Sequence, residues 1–192
     1  MVNIAAQLQY QNHLSGLNPV TEQNQERVAS AWHVLHDVPD PEIPVVSVVD
    51  LGLIRSIGVE AGQVMDVIFS PTYCGCPATE AIMQAARQAL EDAGLGPVSI
   101  RLMLAPAWTT DWITPAGRKK MQLAGIVPPA ASSGVNEAPI RWMGHQHVTP
   151  SLICPHCQSN DTTRLSSFGA TACKALYRCL SCGEPFEYFK PL

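Results

Sequence analysis

Two cysteine pairs near the end of the chain, Cys154-Pro-His-Cys157 and Cys179-Leu-Ser-Cys182, limit what it can fold into more than any other feature. Two residues between cysteines let one tight turn aim two thiolates at a single ion, and two such turns complete a tetrahedral site. Gly183 follows the second pair and permits the left-handed backbone that such a turn favours. The 21 residues between the pairs leave room for alternating strands, with 176–178 and 185–189 supplying two of them. A module of about 45 residues has too little core to fold alone, so metal binding would supply its folding free energy. Residues 151–192 therefore read as a zinc ribbon with a structural Zn2+ on Cys154, Cys157, Cys179 and Cys182. Iron in a rubredoxin-like site uses the same turns, and a redox dithiol is a third reading. Cys173 lies outside both pairs and reads as a small buried residue. His156 sits inside a turn and is not expected to be a ligand.

The rest of the chain reads as a small mixed α/β domain, making the whole α+β. Residues 1–23 are polar, Asn- and Gln-rich and without a period, as expected of a flexible tail. The domain is expected over 24–129. A helix over 24–38 presents Val28, Trp32 and Leu35 on one face and ends at Pro39 and Pro41. Residues 53–59 and 64–69 form a hairpin about Ala61-Gly62. A helix from Pro77 to about Ala93 follows, with Ile82, Ala85, Ala86, Ala89, Leu90 and Ala93 as its apolar stripe and Gly94 as its stop. A strand over 98–104 completes a strand-helix-strand crossover. Thr114-Pro115 opens a short helix that stops at Gly125. Residues 130–150, rich in Pro, Ala, Ser and Gly, read as a linker before the ribbon.

Composition removes several function classes. A net charge of -4 gives no general attraction to nucleic acid. The ribbon's own charges nearly balance, which favours docking to a protein. No apolar run reaches the roughly 18 residues of a membrane helix. There is no basic-then-apolar leader, so a cytoplasmic protein is expected, with its seven cysteines reduced. Glu-x-x-His pairs for a diiron oxygenase, a phosphate loop, a dinucleotide fingerprint and a nucleophile elbow are all missing from the sequence. The chain is therefore expected not to be an enzyme.

The second chemical feature is Cys74-Gly-Cys76-Pro77. Cys76 falls just before the expected helix, where the partial positive charge of the helix start would favour a thiolate. Gly75 allows a partner to come close. The Cys74–Cys76 pair is too tight to chelate one ion comfortably, but two molecules could present such thiolates to a shared metal or cluster, as a homodimer would. Asp40, Glu42 and Asp50 are candidate acidic neighbours, against the commoner case of solvated loop charges. A structural cysteine beneath a loop is the plain alternative for Cys76.

Asp40-Pro41-Glu42-Ile43-Pro44, Val49-Asp50-Leu51-Gly52, and Ser70-Pro71-Thr72 with Cys76-Pro77 together resemble a small α+β family. That family includes bacterial SufT and the eukaryotic cytosolic iron–sulfur targeting proteins. The resemblance covers about residues 26–129. It implies a role in iron–sulfur assembly, with Cys76 as the functional residue, a transient iron–sulfur cluster as cargo, and Thr72 and Cys74 as neighbours. With Trp108-Thr-Thr-Asp-Trp112 through Lys119, and Phe168-Gly169 through Phe189, the chain also resembles the PaaD (PaaJ) family. Those are small accessory proteins of phenylacetyl-CoA epoxidase systems in aerobic phenylacetate breakdown. The resemblance implies an accessory maturation factor for the epoxidase's iron–sulfur or iron centres. Its partners would be the epoxidase components, including the iron–sulfur reductase. The alternative is a non-catalytic structural subunit of the complex.

Overall fold

The structure is a computed structural model that describes residues 21–130 and 152–191. Nearly all of the expected tail (1–23) and linker (130–150) lies outside the described residues. The chain divides into two compact units, the first ending at Trp108 and the second beginning at Thr109.

In the first unit, helix α1 spans Glu22–His36 and begins two residues earlier than expected. Thr21 explains the early start: its side chain accepts the Asn24 N–H at 3.3 Å, an N-cap that satisfies one of the helix's orphan donors. The buried stripe is Asn24, Ala31 and Leu35, with Val28 and Trp32 half-buried beside it. Strands β1 (Ile54–Val59) and β2 (Met65–Phe69) pair antiparallel, joined by a 3-10 turn over Ala61–Gln63 in which Gly62 takes φ 78°. Helix α2 (Thr79–Asp92) then carries the chain to β3 (Val98–Leu102), which pairs in parallel with β2. This is the expected strand-helix-strand unit, in a sheet of order β1-β2-β3.

Two details differ from what the periodicity predicts. The buried stripe of α2 is only Ile82, Ala86 and Leu90, while Ala85 and Ala93 are exposed. The strand expected to reach residue 104 ends at Leu102, and Leu102 and Leu104 are exposed. Leu102 is the last residue of β3, an outer strand of the sheet among the described residues, and Leu104 lies beyond it. Phe69, Leu35, Leu51, Leu53, Met65, Leu90, Val46, Val48 and Val67 are among the fully buried side chains of this unit's core.

In the second unit, helix α3 (Pro115–Leu123) follows its Thr114 N-cap, whose hydroxyl accepts the Gly117 N–H at 2.9 Å. Gly125 ends the turn with φ 79°. A short strand β4 (Ile126–Val127) pairs in parallel with Glu187 and Tyr188 of the last ribbon strand. The ribbon strands are β5 (Thr162–Ser166), β6 (Lys174–Cys179) and β7 (Pro185–Phe189), and the sheet order is β4-β7-β6-β5. Residues 109–127, expected within the first domain, thus share a compact unit with the ribbon. The backbone of Ile126 and Val127 finds its partners on β7, a pairing that periodicity cannot anticipate.

One ribbon face packs Leu152, Cys154, Ala175, Tyr177, Cys179, Phe186 and Tyr188, with Val127 against them. Opposite, Lys174 is buried and pairs with Glu187 at 2.7 Å. Among the described residues no helix is long and apolar enough to cross a membrane.

Candidate metal centre and thiol loop

The two cysteine turns have the same backbone design. Gln158 N–H donates to Cys154 O at 3.0 Å, and Gly183 N–H donates to Cys179 O at 3.0 Å. Cys154 N–H donates to Ser159 O at 2.9 Å, and Cys179 N–H donates to Glu184 O at 3.0 Å. The residue after each pair takes a positive φ, 64° at Gln158 and 80° at Gly183. A positive φ at Gly183 was legible in the sequence. The same conformation at Gln158, which carries a Cβ, was not.

These turns bring the sulfurs of Cys154, Cys157, Cys179 and Cys182 within 4.8 Å of one another. Cys154 Sγ lies 3.8 Å from Cys182 Sγ, and Cys157 Sγ lies 3.5 Å from Cys179 Sγ. A tetrahedron with Zn–S bonds of about 2.3 Å has S–S edges of roughly 3.8 Å, so the donor set fits a tetrahedral thiolate ion. Among the described residues, this is the group of His, Cys, Asp or Glu ligands arranged to share a metal. His156 is not in it. Its ring instead lies 3.6 Å from where a Cβ on Gly125 would stand. Cys173 is buried outside the group, with its sulfur 3.0 Å from Thr171 Oγ1.

The close packing of the sulfurs also shifts the protonation of Cys157, Cys179 and Cys182. The Ser159 backbone N–H favours the Cys157 thiolate, but Cys179, desolvation and the other two cysteines outweigh it and push Cys157 up to about 12. The Cys182 backbone N–H is the chief influence holding Cys179 down to about 6, helped by Cys157 and Ser181 against desolvation. The partners diverge because one proton between two close sulfurs stays on Cys157 and leaves Cys179 ionised. Cys182 is raised as well: Glu184's backbone N–H lowers it, while desolvation and Cys179 act more strongly together. A cation in the cluster replaces these shared protons.

The first unit's thiol loop is built differently. Cys76 is half-buried and Cys74 exposed. Cys76 N–H donates to Tyr73 O at 3.3 Å, and Cys76 O accepts the Thr79 N–H at 3.1 Å. Helix α2 thus begins at Thr79, not at Pro77, and Cys76 sits one turn ahead of it. Gly75 between the cysteines has φ 91°, and among the described residues, its two chain neighbours aside, no atom lies within 4 Å of where its Cβ would stand. The loop therefore has open space beside Gly75.

The acidic candidates have structural partners. Asp40 is buried, and its Oδ1 accepts the N–H groups of Glu42 and Ile43, each at 2.8 Å. Asp50 is wholly buried; its Oδ2 accepts Ser47 N–H at 3.1 Å, while Ser47 Oγ accepts Asp50 N–H at 3.0 Å. The carboxylates of Asp40 and Asp50 close the turns of residues 40–50 and are not solvated loop charges, and among the described residues no three-ligand metal group includes them with Cys76. Trp108 braces the same segment by donating its Nε1–H to Leu51 O at 3.0 Å. Thr72 is half-buried in the thiol loop. Ser70, named in the sequence only as part of the Ser70-Pro71-Thr72 motif, has a buried Oγ with no hydrogen-bond partner among the described residues. Such an orphan costs about 1–3 kcal/mol.

Residues 29–101 match the family model described as an iron–sulfur cluster assembly protein, and residues 143–190 match the PaaD zinc beta ribbon domain. The class is thus an iron–sulfur-assembly domain joined to a zinc ribbon. Over 164 residues the chain is 48% identical to an Escherichia coli (strain K12) protein provisionally named as a subunit of 1,2-phenylacetyl-CoA epoxidase, covering 85% of this chain and 93% of that one. The chain belongs to this PaaD family of phenylacetyl-CoA epoxidase proteins. It is also 38% identical over 82 residues to the Fe-S protein maturation auxiliary factor of Porphyromonas gingivalis (strain ATCC BAA-308 / W83), covering 42% of this chain and 77% of that one. Solved structures similar to it include a DUF59 domain from Bacillus anthracis, at TM-score 0.48 and 18% identity, covering 52% of this chain and 94% of that one. Another is a conserved hypothetical protein from Thermotoga maritima, at TM-score 0.42 and 27% identity, covering 53% and 94%.

Proposed function

We propose that this protein is an accessory maturation factor that assists assembly of an iron–sulfur or iron centre in the phenylacetyl-CoA epoxidase system. The observation that carries this reading is the iron–sulfur-assembly match over residues 29–101, the stretch that contains the Cys76 loop. The relative named as a maturation auxiliary factor also supports it. Cys76 is the assigned cargo ligand, because a thiolate is a soft donor suited to iron and the loop around Gly75 is open. Iron or a cluster in transit is the cargo. Cys154, Cys157, Cys179 and Cys182 hold a structural zinc, which keeps the ribbon folded and plays no part in transfer.

The epoxidase components are the proposed clients, and the reductase with its iron–sulfur cluster is first among them. A standing structural subunit is the second reading, favoured by the E. coli relative's name. The deciding experiment measures iron and acid-labile sulfide in each epoxidase component produced with and without this protein. Maturation predicts a component that folds but is underfilled when the protein is missing. Full occupancy of every component in its absence contradicts the reading.

A further inference from the structure

Four of the large apolar side chains exposed in the second unit border one strand of the ribbon. Ile153 (54%) and Leu180 (56%) flank the start of β5: Thr162 Oγ1 donates to Leu152 O at 2.9 Å, and Leu180 N–H donates to Asp161 O at 2.8 Å. Leu165 (54%) and Phe168 (65%) stand at its far end. β5 is an edge strand, pairing on one side only among the described residues. Leu165 is the extra residue where the ladder with β6 slips between Arg164 and Ser166. Such a bulge blunts an edge against indiscriminate strand pairing, leaving recognition to side chains.

Phe168 is held in place although it is exposed. Its N–H donates to Ser166 Oγ at 3.2 Å, and Lys190 Nζ lies 4.5 Å from the ring centre while donating to Ser167 O at 3.1 Å. The next residue, Gly169, donates its N–H to Lys174 O at 2.8 Å. A Cβ at Gly169 would stand 3.0 Å from Glu187 Oε1 and 3.3 Å from Lys174 Cβ, so the loop lies directly on the buried ion pair. An aromatic fixed beforehand loses little entropy on binding, which is what an interface anchor requires.

The charge around this ridge is positive toward its Phe168 end, while the exposed Asp161 stands at the Ile153 and Leu180 end. Residues 162–178 contain Arg164, Lys174 and Arg178 and no Asp or Glu, in a chain of net charge -4. Lys174 is matched by Glu187 and Arg178 donates its Nε–H to Gly183 O, which leaves Arg164 on β5 and Lys190 over the Phe168 ring as the cations of the ridge. We infer that the β5 flank, with Phe168 as anchor, docks a partner protein segment bearing apolar side chains with acidic flanks. A two-fold contact between copies would set Arg164 and Lys190 against themselves. Nucleic acid is disfavoured by the chain's net charge and by a ridge with one aromatic and three aliphatic residues.

This inference deepens the maturation reading by assigning the client contact to the ribbon. The test is binding of full-length protein to each purified epoxidase component at low and high salt. Phe168→Ala should weaken binding at least about tenfold with ribbon metal retained, and Phe168→Tyr should restore most of it. Lys190→Glu should lower the on-rate and flatten its salt dependence. Wild-type affinity in both Phe168→Ala and Leu165→Ala overturns the docking surface, as does the absence of any component that binds the wild type. Phe168-dependent self-association or oligonucleotide binding overturns it by assigning the ridge to another occupant. Cys76→Ala separates the two ideas. It should bind its client normally and fail to mature it, whereas normal maturation by Cys76→Ala defeats the maturation role and leaves the docking result intact.

Discussion

The two halves of this molecule place their cysteines on opposite foundations. In the first unit, Cys76 occupies a loop ahead of α2, and the core of Phe69, Met65, Leu51 and Leu90 contains no cysteine. In the ribbon, Cys154 and Cys179 are themselves members of the apolar cluster. One region can lose its thiol and keep its fold; the other has its thiols as its fold. The difference follows from size, since a ribbon of three five- or six-residue strands and one short partner strand has little apolar area to bury.

The largest expected effect comes from the ribbon. Cys154→Ser or Cys182→Ser should release the metal and remove a contribution on the order of 10 kcal/mol, unfolding β5–β7. The first unit's own melting transition should stay in place. Elemental analysis and circular dichroism of the variants check this, and a first unit that melts with the ribbon breaks the contrast. The reciprocal change is Leu90→Ala, at a fully buried helix position. It should cost about 2–5 kcal/mol in the first unit while leaving metal content unchanged.

Next comes the buried ion pair beneath the Phe168 loop. Glu187→Ala leaves Lys174 buried without its carboxylate and should destabilise the ribbon by about 3–5 kcal/mol. Faster metal loss to a chelator is the readout. The pH dependence sharpens the same comparison. Cys157, raised to about 12, stays protonated near neutrality, so metal entry displaces its proton there. Cys179, lowered to about 6, is ionised above that pH and protonated below it, adding a further proton in competition with the metal. Metal affinity should thus fall on acidification and fall more steeply below about pH 6. Titration with a competing chelator between pH 5 and pH 8, the approximate span over which that change is expected, checks the slope. The smallest effect on stability belongs to Cys76→Ala, which should shift unfolding by no more than about 0.5 kcal/mol, as befits a half-buried loop position.

Much of this contrast was legible in the residues. The metal cluster followed from spacing, because a two-residue gap permits only a tight turn. The hairpin about Gly62 and the crossover through α2 followed from alternation and helical period. Long-range pairing was not legible: nothing in Ile126-Val127 reveals that its partners are Glu187 and Tyr188. Side-chain caps were read in the wrong sense for the same reason. Asp40 and Asp50 look like loop charges in one dimension, yet their carboxylates accept backbone N–H groups two or three residues away. The helix start was misplaced because Pro77 suits a first helical position, whereas the Thr79 N–H turns back to Cys76 O and makes a lead-in turn. The orphan hydroxyl of Ser70 depends on what does not pack around it, which no local pattern encodes.

The central claim is that the thiol of the first unit acts during assembly of the epoxidase's metal centres and is not needed afterwards. The most direct test is turnover by epoxidase components whose clusters and iron have been verified as complete, mixed without this protein. Sustained turnover at the full rate is the predicted result. A requirement for stoichiometric addition of this chain would contradict the account and make it a working subunit.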